Sequence, residues 1–445
     1  TILTASHAVV YASTKHGLGS QQGLSLMPTG WHRPSYWSLV FILLWLPGSH
    51  LSPRHTTKLA ENQTAGPNAE HALQSNANCK MLWASKLERV RNSTKYLRAE
   101  LTRLAAKLRT TVDKNIKKKK LRLNFFDTLE PVWSCEDDVR VGAVPHSSSS
   151  LGDGPKWVCA PGLVAANGTA LSFGSDGDIG FESGLFWYGK CRRRIFIMDP
   201  TGSLCNPQIP SCNVGAHQHC SVSKCWHHRT LHDAQKIGGW LLPIALGNGP
   251  ASILPSRVGG ICYTTSTFDE VLRMLPLDQP VIDVLKIDIE RSEWIVYEEM
   301  FAACSGPSPR VKIHLLLIEL HQVRNPDFQD LPVSFVAAAA GCGLVMYHKE
   351  PNYWACEGYG CMEFSFMSSE YAVKVFDHNS QCLISQAYGA ADLQKVLYPL
   401  YAQYHSLRKL QSPKPAFNYC NSTTAQASLM QVVKERLRSY TTMQS

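Results

Sequence analysis

The sequence predicts an α/β fold, a mostly parallel sheet with helices on both faces. Two observations carry that prediction. Five short apolar runs, "TALSF" (169–173), "RIFIM" (194–198), "WLLPIAL" (240–246), "VIDVLKI" (281–287) and "HLLLIEL" (314–320), read as buried strands. The stretches 179–190, 267–275 and 292–303 between them read as helices. Strands that alternate with helices pair in parallel, and such a sheet is covered on both sides, so its strands are apolar throughout. "GLVMYHK" and "CMEFSFM" read as a closing strand pair joined by a longer loop. Residues 125–370 form the main domain, and 371–445 read as a helical extension in which "LQKVLYPLYAQYHSL" is amphipathic.

The N-terminal part reads differently. Residues 1–26 precede the first methionine, Met27, and are expected to be upstream or artefactual sequence. Residues 27–50 have a weakly basic front (His32, Arg33), an apolar run over 36–46 and then Pro47-Gly48-Ser49, the layout of a secretory signal. The run is short for a span of about 20 residues, so a cleaved signal peptide is expected, with a short membrane anchor at 36–46 as the alternative. Residues 51–77 read as a linker. Within 78–124, Trp83, Leu87, Val90, Thr94, Leu97, Leu101, Leu104 and Leu108 are spaced alternately four and three apart. That seam predicts either a coiled-coil stalk forming a homodimer through 79–112, or a single amphipathic helix packed on the main domain. A basic linker containing Lys117–Lys120 follows.

The chain of 445 residues carries a net charge of +9, concentrated between Lys80 and Arg122. No finger or RNP-type signature accompanies it, so nucleic acid is excluded as the expected partner. Fifteen cysteines, together with Asn-x-Ser/Thr acceptors at Asn62, Asn92, Asn167 and Asn421, point to the secretory pathway, as a secreted protein or a lumenal one of the Golgi or endoplasmic reticulum. The segment 203–233 holds Cys205, Cys212, Cys220 and Cys225 with His217, His219, His227 and His228. Its spacings lack a C-x-x-C pair, so disulfides or an irregular loop are favoured over zinc, and no metal ligand is assigned. A bridge between Cys356 and Cys361 is left open.

Chemistry is expected where strands end, because ligands of a doubly wound sheet sit at the carboxyl ends. The first such end is "LSFGSDGDIGFE", where Gly174, Gly177 and Gly180 form a turn before a helix. Glycine permits positive φ and close approach to a ligand. Asp176 and Asp178 would repel a pyrophosphate, so the turn suits a cofactor with a cationic centre. The second is "RIFIMDPT", whose Asp199 is placed to accept hydrogen bonds from ribose hydroxyls, or else to cap a helix. The third sets Asp283, Lys286, Asp288 and Glu290 within eight residues, the last three sharing one face at the strand end.

Here "DVLKIDIERSEW" resembles the "LKIDIEGSE" signature of FkbM-type methyltransferases. With "GDGPKWVCAP", "LSFGSDGDIGFE", "FIMDPT" and "YHKEPNYWACEGYGCMEFSF", the chain resembles the family of methyltransferase-like protein 24 over roughly residues 150–368. The resemblance implies a Rossmann-like S-adenosylmethionine fold with an antiparallel strand near the sheet's end. It implies that the turn of Gly174, Asp176, Gly177 and Gly180 holds the methionine part and Asp199 the ribose, with Glu182 and Asp283 counted among the cofactor-binding residues. It places Asp288 and Glu290 on the catalytic edge. With His321 they are the candidates for a base, should the acceptor be a hydroxyl. Arg291 stands where the signature has glycine.

The expected function is a secretory-pathway S-adenosylmethionine-dependent methyltransferase acting on a small-molecule or glycan acceptor. A catalytically inactive, dimeric binding module on the same fold is the alternative. A sugar-nucleotide enzyme is disfavoured by the acidic turn.

Overall fold

A run of aliphatic residues with no polar interruption leaves a strand little choice but to be flanked by other strands and covered on both faces. The computed structural model describes residues 68–109, 126, 129–142, 154–164, 168–189, 194–200, 226–249, 253–255, 262–277, 280–322, 331–352, 356, 360–387 and 389–408. In chain order the elements are α1 (Asn68–Arg109), β1 (Asp138–Val141), β2 (Lys156–Cys159), β3 (Thr169–Phe173), α2 (Gly180–Tyr188), β4 (Arg194–Met198) and α3 (Trp226–Lys236). Then come β5 (Trp240–Leu242), β6 (Ala245–Leu246), β7 (Ile253–Pro255), β8 (Cys262–Ser266), α4 (Phe268–Met274), β9 (Val281–Ile287), α5 (Glu293–Cys304) and β10 (Lys312–His321). The last are α6 (Leu331–Gly341), β11 (Leu344–Pro351), β12 (Cys361–Ser368), α7 (Ser369–Ser380), α8 (Ile384–Ala387) and α9 (Ala390–Arg408).

Seven strands form the central sheet in the order β11-β12-β10-β9-β3-β4-β5. Neighbours from β10 to β5 are parallel, and β12 runs antiparallel to both β10 and β11. This is the mostly parallel sheet with an antiparallel strand near one end. The chain reverses its direction of travel across the sheet between β3 and β9. Their adjacent carboxyl ends therefore form the switch point at which such folds bind ligands.

One expected strand divides. The run 240–246 gives β5 in the main sheet and β6 in a small sheet with β8 and β7. Pro243 separates them, because it has no N–H to continue the ladder. The helix starts are locally encoded. Thr267 caps α4 by accepting from the Glu270 N–H at 3.1 Å, while the Glu270 carboxylate accepts from the Thr267 N–H at 2.8 Å, a reciprocal capping box.

The heptad seam resolves in favour of packing within the chain. Trp83, Val90, Thr94, Leu97 and Leu101 are buried, and α1 lies against α9, with further contacts to α6 and α8. Trp83 meets Trp133 and Phe376 edge-on, at ring-centroid distances of 6.1 and 5.2 Å. In the described part of 79–112 the seam packs as the second of the two expected readings, an amphipathic helix laid on the chain's own helices. A disulfide, Cys79–Cys382, ties α1 to the segment before α8. Three more disulfides occur among the described residues: Cys135–Cys159, Cys304–Cys342 and Cys356–Cys361. Among the described residues no helix is long and apolar enough to cross a membrane. The 36–46 run and most of the 203–233 cysteine and histidine segment lie outside them.

Candidate active site at the carboxyl edge of the sheet

Register aligns the strand ends. Phe173 of β3 pairs with Met198 of β4 and with Ile287 of β9. The next residues, Gly174, Asp199 and Asp288, leave the sheet at the same level. Gly174 donates to the Met198 carbonyl at 2.9 Å, and Asp288 donates to the Phe173 carbonyl at 3.0 Å. Gly174 has φ +77°, and a Cβ there would lie 1.7 Å from the Asp288 carbonyl oxygen. Two backbones cross at a point where only glycine fits.

Asp199 is buried, and its Oδ2 accepts from the Ser175 N–H at 2.8 Å, the Ser175 hydroxyl at 2.9 Å and the Asp176 N–H at 2.8 Å. Three donors on one oxygen make this carboxylate the clasp of the glycine turn. The turn's first N–H groups are therefore taken by Asp199 and do not face a ligand. Asp176 (φ +42°) and Gly177 (φ +82°) both adopt left-handed backbone, and the Gly177 carbonyl accepts from the Thr230 hydroxyl at 2.9 Å. Gly180 donates to Asp178 at 2.8 Å as α2 begins. Asp176 and Asp178 are exposed, so the rim of the turn is acidic.

Two residues expected at this site are placed elsewhere. Asp283 lies near the start of β9, at the amino edge. Its Oδ2 accepts from the Thr169 N–H at 2.9 Å and its Oδ1 faces His314 Nδ1 at 3.2 Å. In a parallel sheet the strand start lies opposite the cleft, so Asp283 cannot serve the cofactor. Glu182 sits beneath the turn rather than in it. It is buried, and Oε1 accepts from the Ser172 hydroxyl. Burial raises its pKa, and the nearby Lys286 ammonium only partly opposes that. Lys286 itself donates to the Gly174 carbonyl. Both residues shape the turn from below.

The family profile for the methyltransferase domain matches residues 90–368, more than half of the chain. The chain belongs to the methyltransferase-domain family. No curated protein and no solved structure matches it.

In this methyltransferase domain the carboxyl edge of the sheet holds more charge than the β9 strand end alone supplies. Lys156, at the start of β2, is buried, with its ammonium 3.1 Å from Asp288 Oδ2 and against Glu363 Oε1. Glu319 and Glu363 are directly opposed on β10 and β12. Burial pushes the Asp288 carboxyl up, but Lys156 and Lys286 together overcome it and hold Asp288 well below the usual carboxylate range. Burial and the adjacent Asp288 and Glu363 charges push Glu319 up to about 10. Glu319 is thus held toward its protonated form, in which it can donate to Asp288. Desolvation would lower Lys156, but Asp288 and Glu363 raise it well above its ordinary value, so it stays charged.

His321 ends β10, and its Nδ1 lies 2.7 Å from Glu293 Oε1 and its Nε2 3.2 Å from Glu290 Oε2. Burial disfavours its charge, yet Glu293 and Glu290 raise it to about 11. Both imidazole nitrogens of His321 thus face carboxylates, an arrangement that favours its charged form over service as a base. Its role is to fix Glu290. Of the three candidate catalytic residues Glu290 is the most open, with a side chain 49% exposed against 17% for Asp288 and 6% for His321. Glu290 and Arg291 have φ of +59° and +80°. Glycine in the signature at Arg291 is explained by that geometry.

Lys156, Glu293, Glu319 and Glu363 were not singled out by sequence. A signal existed for two of them. Glu319 is the one acid in "HLLLIEL" and Glu363 the one acid in "CMEFSFM", and an acid inside a buried strand needs a partner. Lys156 precedes its partners by more than 100 residues, and no local pattern marks it.

Proposed function

We propose that this chain is an S-adenosylmethionine-dependent methyltransferase of the secretory pathway, related to the FkbM-type and methyltransferase-like protein 24 families, whose acceptor is a hydroxyl of a small molecule or glycan. The single observation that carries the reading is the glycine turn crossing the Asp288 backbone at the switch point, clasped by Asp199. The donor set fits the cofactor, whose ammonium and sulfonium are cations, because the turn presents exposed carboxylates. When bound, the cofactor supplies an activated methyl group for in-line displacement, which depends on positioning more than on a covalent nucleophile.

The chain's own residues divide the remaining work. Asp176 and the turn from Gly174 to Gly180 would hold the methionine part, and Asp199 would hold the turn and face the ribose. Glu290, oriented by protonated His321, would take the proton from an acceptor hydroxyl. Asp288, kept ionised by Lys156, would place the acceptor. Four disulfides among the described residues support an oxidising compartment. A signal peptide or short anchor at 36–46 fits that location.

Titration calorimetry with S-adenosylmethionine and S-adenosylhomocysteine tests the reading. Micromolar binding that is lost in Asp199→Ala supports it, and a folded wild-type protein that binds neither compound overturns it. A second reading, a non-catalytic binding module on this fold, is favoured by the commitment of Asp288 and His321 to ion pairs. Cofactor binding with no transfer to any hydroxyl acceptor would support that reading.

A further inference from the structure

Between the end of β10 and the start of β12, behind the Glu290 edge, lies a cluster of sulfur, nitrogen and oxygen donors. His321 and Cys361 are directly opposed across the antiparallel pair, and Glu319 is two residues back on the same strand. Opposed residues hold their side chains together, and i and i−2 share a face. Cys356 is bonded to Cys361 and brings a second sulfur. One donor atom from each of Glu319, His321, Cys356 and Cys361 lies within 4.8 Å of the others.

We propose that reduction of the Cys356–Cys361 disulfide converts this cluster into a zinc site of two thiolates, one imidazole nitrogen and one carboxylate oxygen. Zinc takes sulfur, nitrogen and oxygen donors in a tetrahedron, whose thiolates stand about 3.8 Å apart at ordinary Zn–S distances. Opening the disulfide lets the sulfurs separate. The surroundings suit a ligand set. His321 Nδ1 faces the fully buried Glu293 at 2.7 Å, the carboxylate-backed imidazole that orients a zinc ligand through its other nitrogen. That other nitrogen, Nε2, now faces Glu290, whose half-exposed side chain can swing away. Asn352 Nδ2 donates to Glu319 Oε1 at 3.1 Å and steadies the carboxylate.

The step balances. A phosphine and one water convert the disulfide into two thiols and a phosphine oxide. In a cell, two equivalents of a thiol serve instead and leave as their own disulfide. Zinc then displaces a proton from each thiol, and any proton held by the ligating Glu319 oxygen or His321 Nε2 leaves to solvent as the ion binds. Binding therefore releases protons and weakens as pH falls. The inference does not rest on the proposed methyl transfer.

The full chain, stripped of metal, would be treated with a phosphine in steps, and alkylation with mass mapping would identify the stage at which Cys356–Cys361 has opened. Cobalt(II) added at that stage reports tetrahedral thiolate ligation by its visible d–d and sulfur-to-metal bands, and zinc should bleach them. The expected result is one more equivalent of cobalt in the reduced wild type than in Cys356→Ser, Cys361→Ser or His321→Gln. Reading the difference cancels metal held by the 203–233 cysteines. Cys356→Ser, at a partly exposed position, decides the matter if His321→Gln does not fold. Uptake that survives Cys356→Ser, or that is no greater after reduction than before, overturns the proposal.

Discussion

Asp283 and Asp288 lie five positions apart in one stretch of chain, and the sheet puts them to opposite uses. Asp283 at the amino edge of β9 accepts from a backbone N–H at 2.9 Å and faces His314, and its work is done within the fold. Asp288 at the carboxyl edge meets a buried ammonium and a protonated carboxyl beside the glycine turn. The amino edge spends charge on closing the structure. The carboxyl edge stores charge in a network balanced by Lys156. Sequence proximity therefore says little about role in a parallel sheet, whereas strand direction says a great deal.

The largest test of that contrast removes the balance at the carboxyl edge. Lys156→Met would leave Asp288 and Glu363 without their ammonium, and unpairing a buried charge costs about 3–5 kcal/mol. Denaturant unfolding should show that loss. A cost under 1 kcal/mol would mean the network is solvated. Asp199→Ala removes the one acceptor shared by three donors and should cost about 3 kcal/mol, together with cofactor binding.

Titration probes the same edge more gently. The folded pKa of His321 lies above its unfolded value, so the stability it lends is full below pH 6.5 and drains as pH rises toward about 11. Glu319 is also raised, so its contribution is full below about 4.5 and drains toward about 10. Both slopes have the same sign between pH 6.5 and 10, each at most about 1.4 kcal/mol per pH unit. The melting temperature should fall across that window, and His321→Gln should flatten the fall. Asp288 is lowered, so its share is lost on acidification instead.

At the amino edge, Asp283→Asn should cost about 1 kcal/mol through the weakened Thr169 bond and leave cofactor affinity unchanged. Loss of that affinity would erase the distinction between the edges. The smallest effect should be a gain. Arg291→Gly relieves a left-handed backbone at φ +80°, worth about 1 kcal/mol, visible as a small rise in melting temperature.

Much of this was legible in the sequence, for definite reasons. The strands β3, β4 and β9 coincide with apolar-rich runs because burial on both faces keeps most of their positions aliphatic or aromatic. Gly174 and Asp199 stood out because a turn and a strand end are local events. The position of Asp283 was misjudged because charge clustering was read along the chain and not along the strand direction. The α1 seam was ambiguous because a heptad records that one face is buried, not what buries it. Lys156, Glu319 and Glu363 converge only through β2, β10 and β12, and tertiary pairing of that kind leaves no mark at any one position.

Cys79 and Cys382 are separated by 303 positions and joined by one covalent bond. The polypeptide between them is consequently a closed ring. A protease that cuts once anywhere inside that ring releases nothing, and the two pieces travel as one particle until the bond is reduced. On an electrophoresis gel such a nicked molecule would run near its full mass without reductant and as two fragments with it. The same ring sets an order of events during synthesis, since the bond that anchors the first described helix cannot close until the ribosome has delivered residue 382.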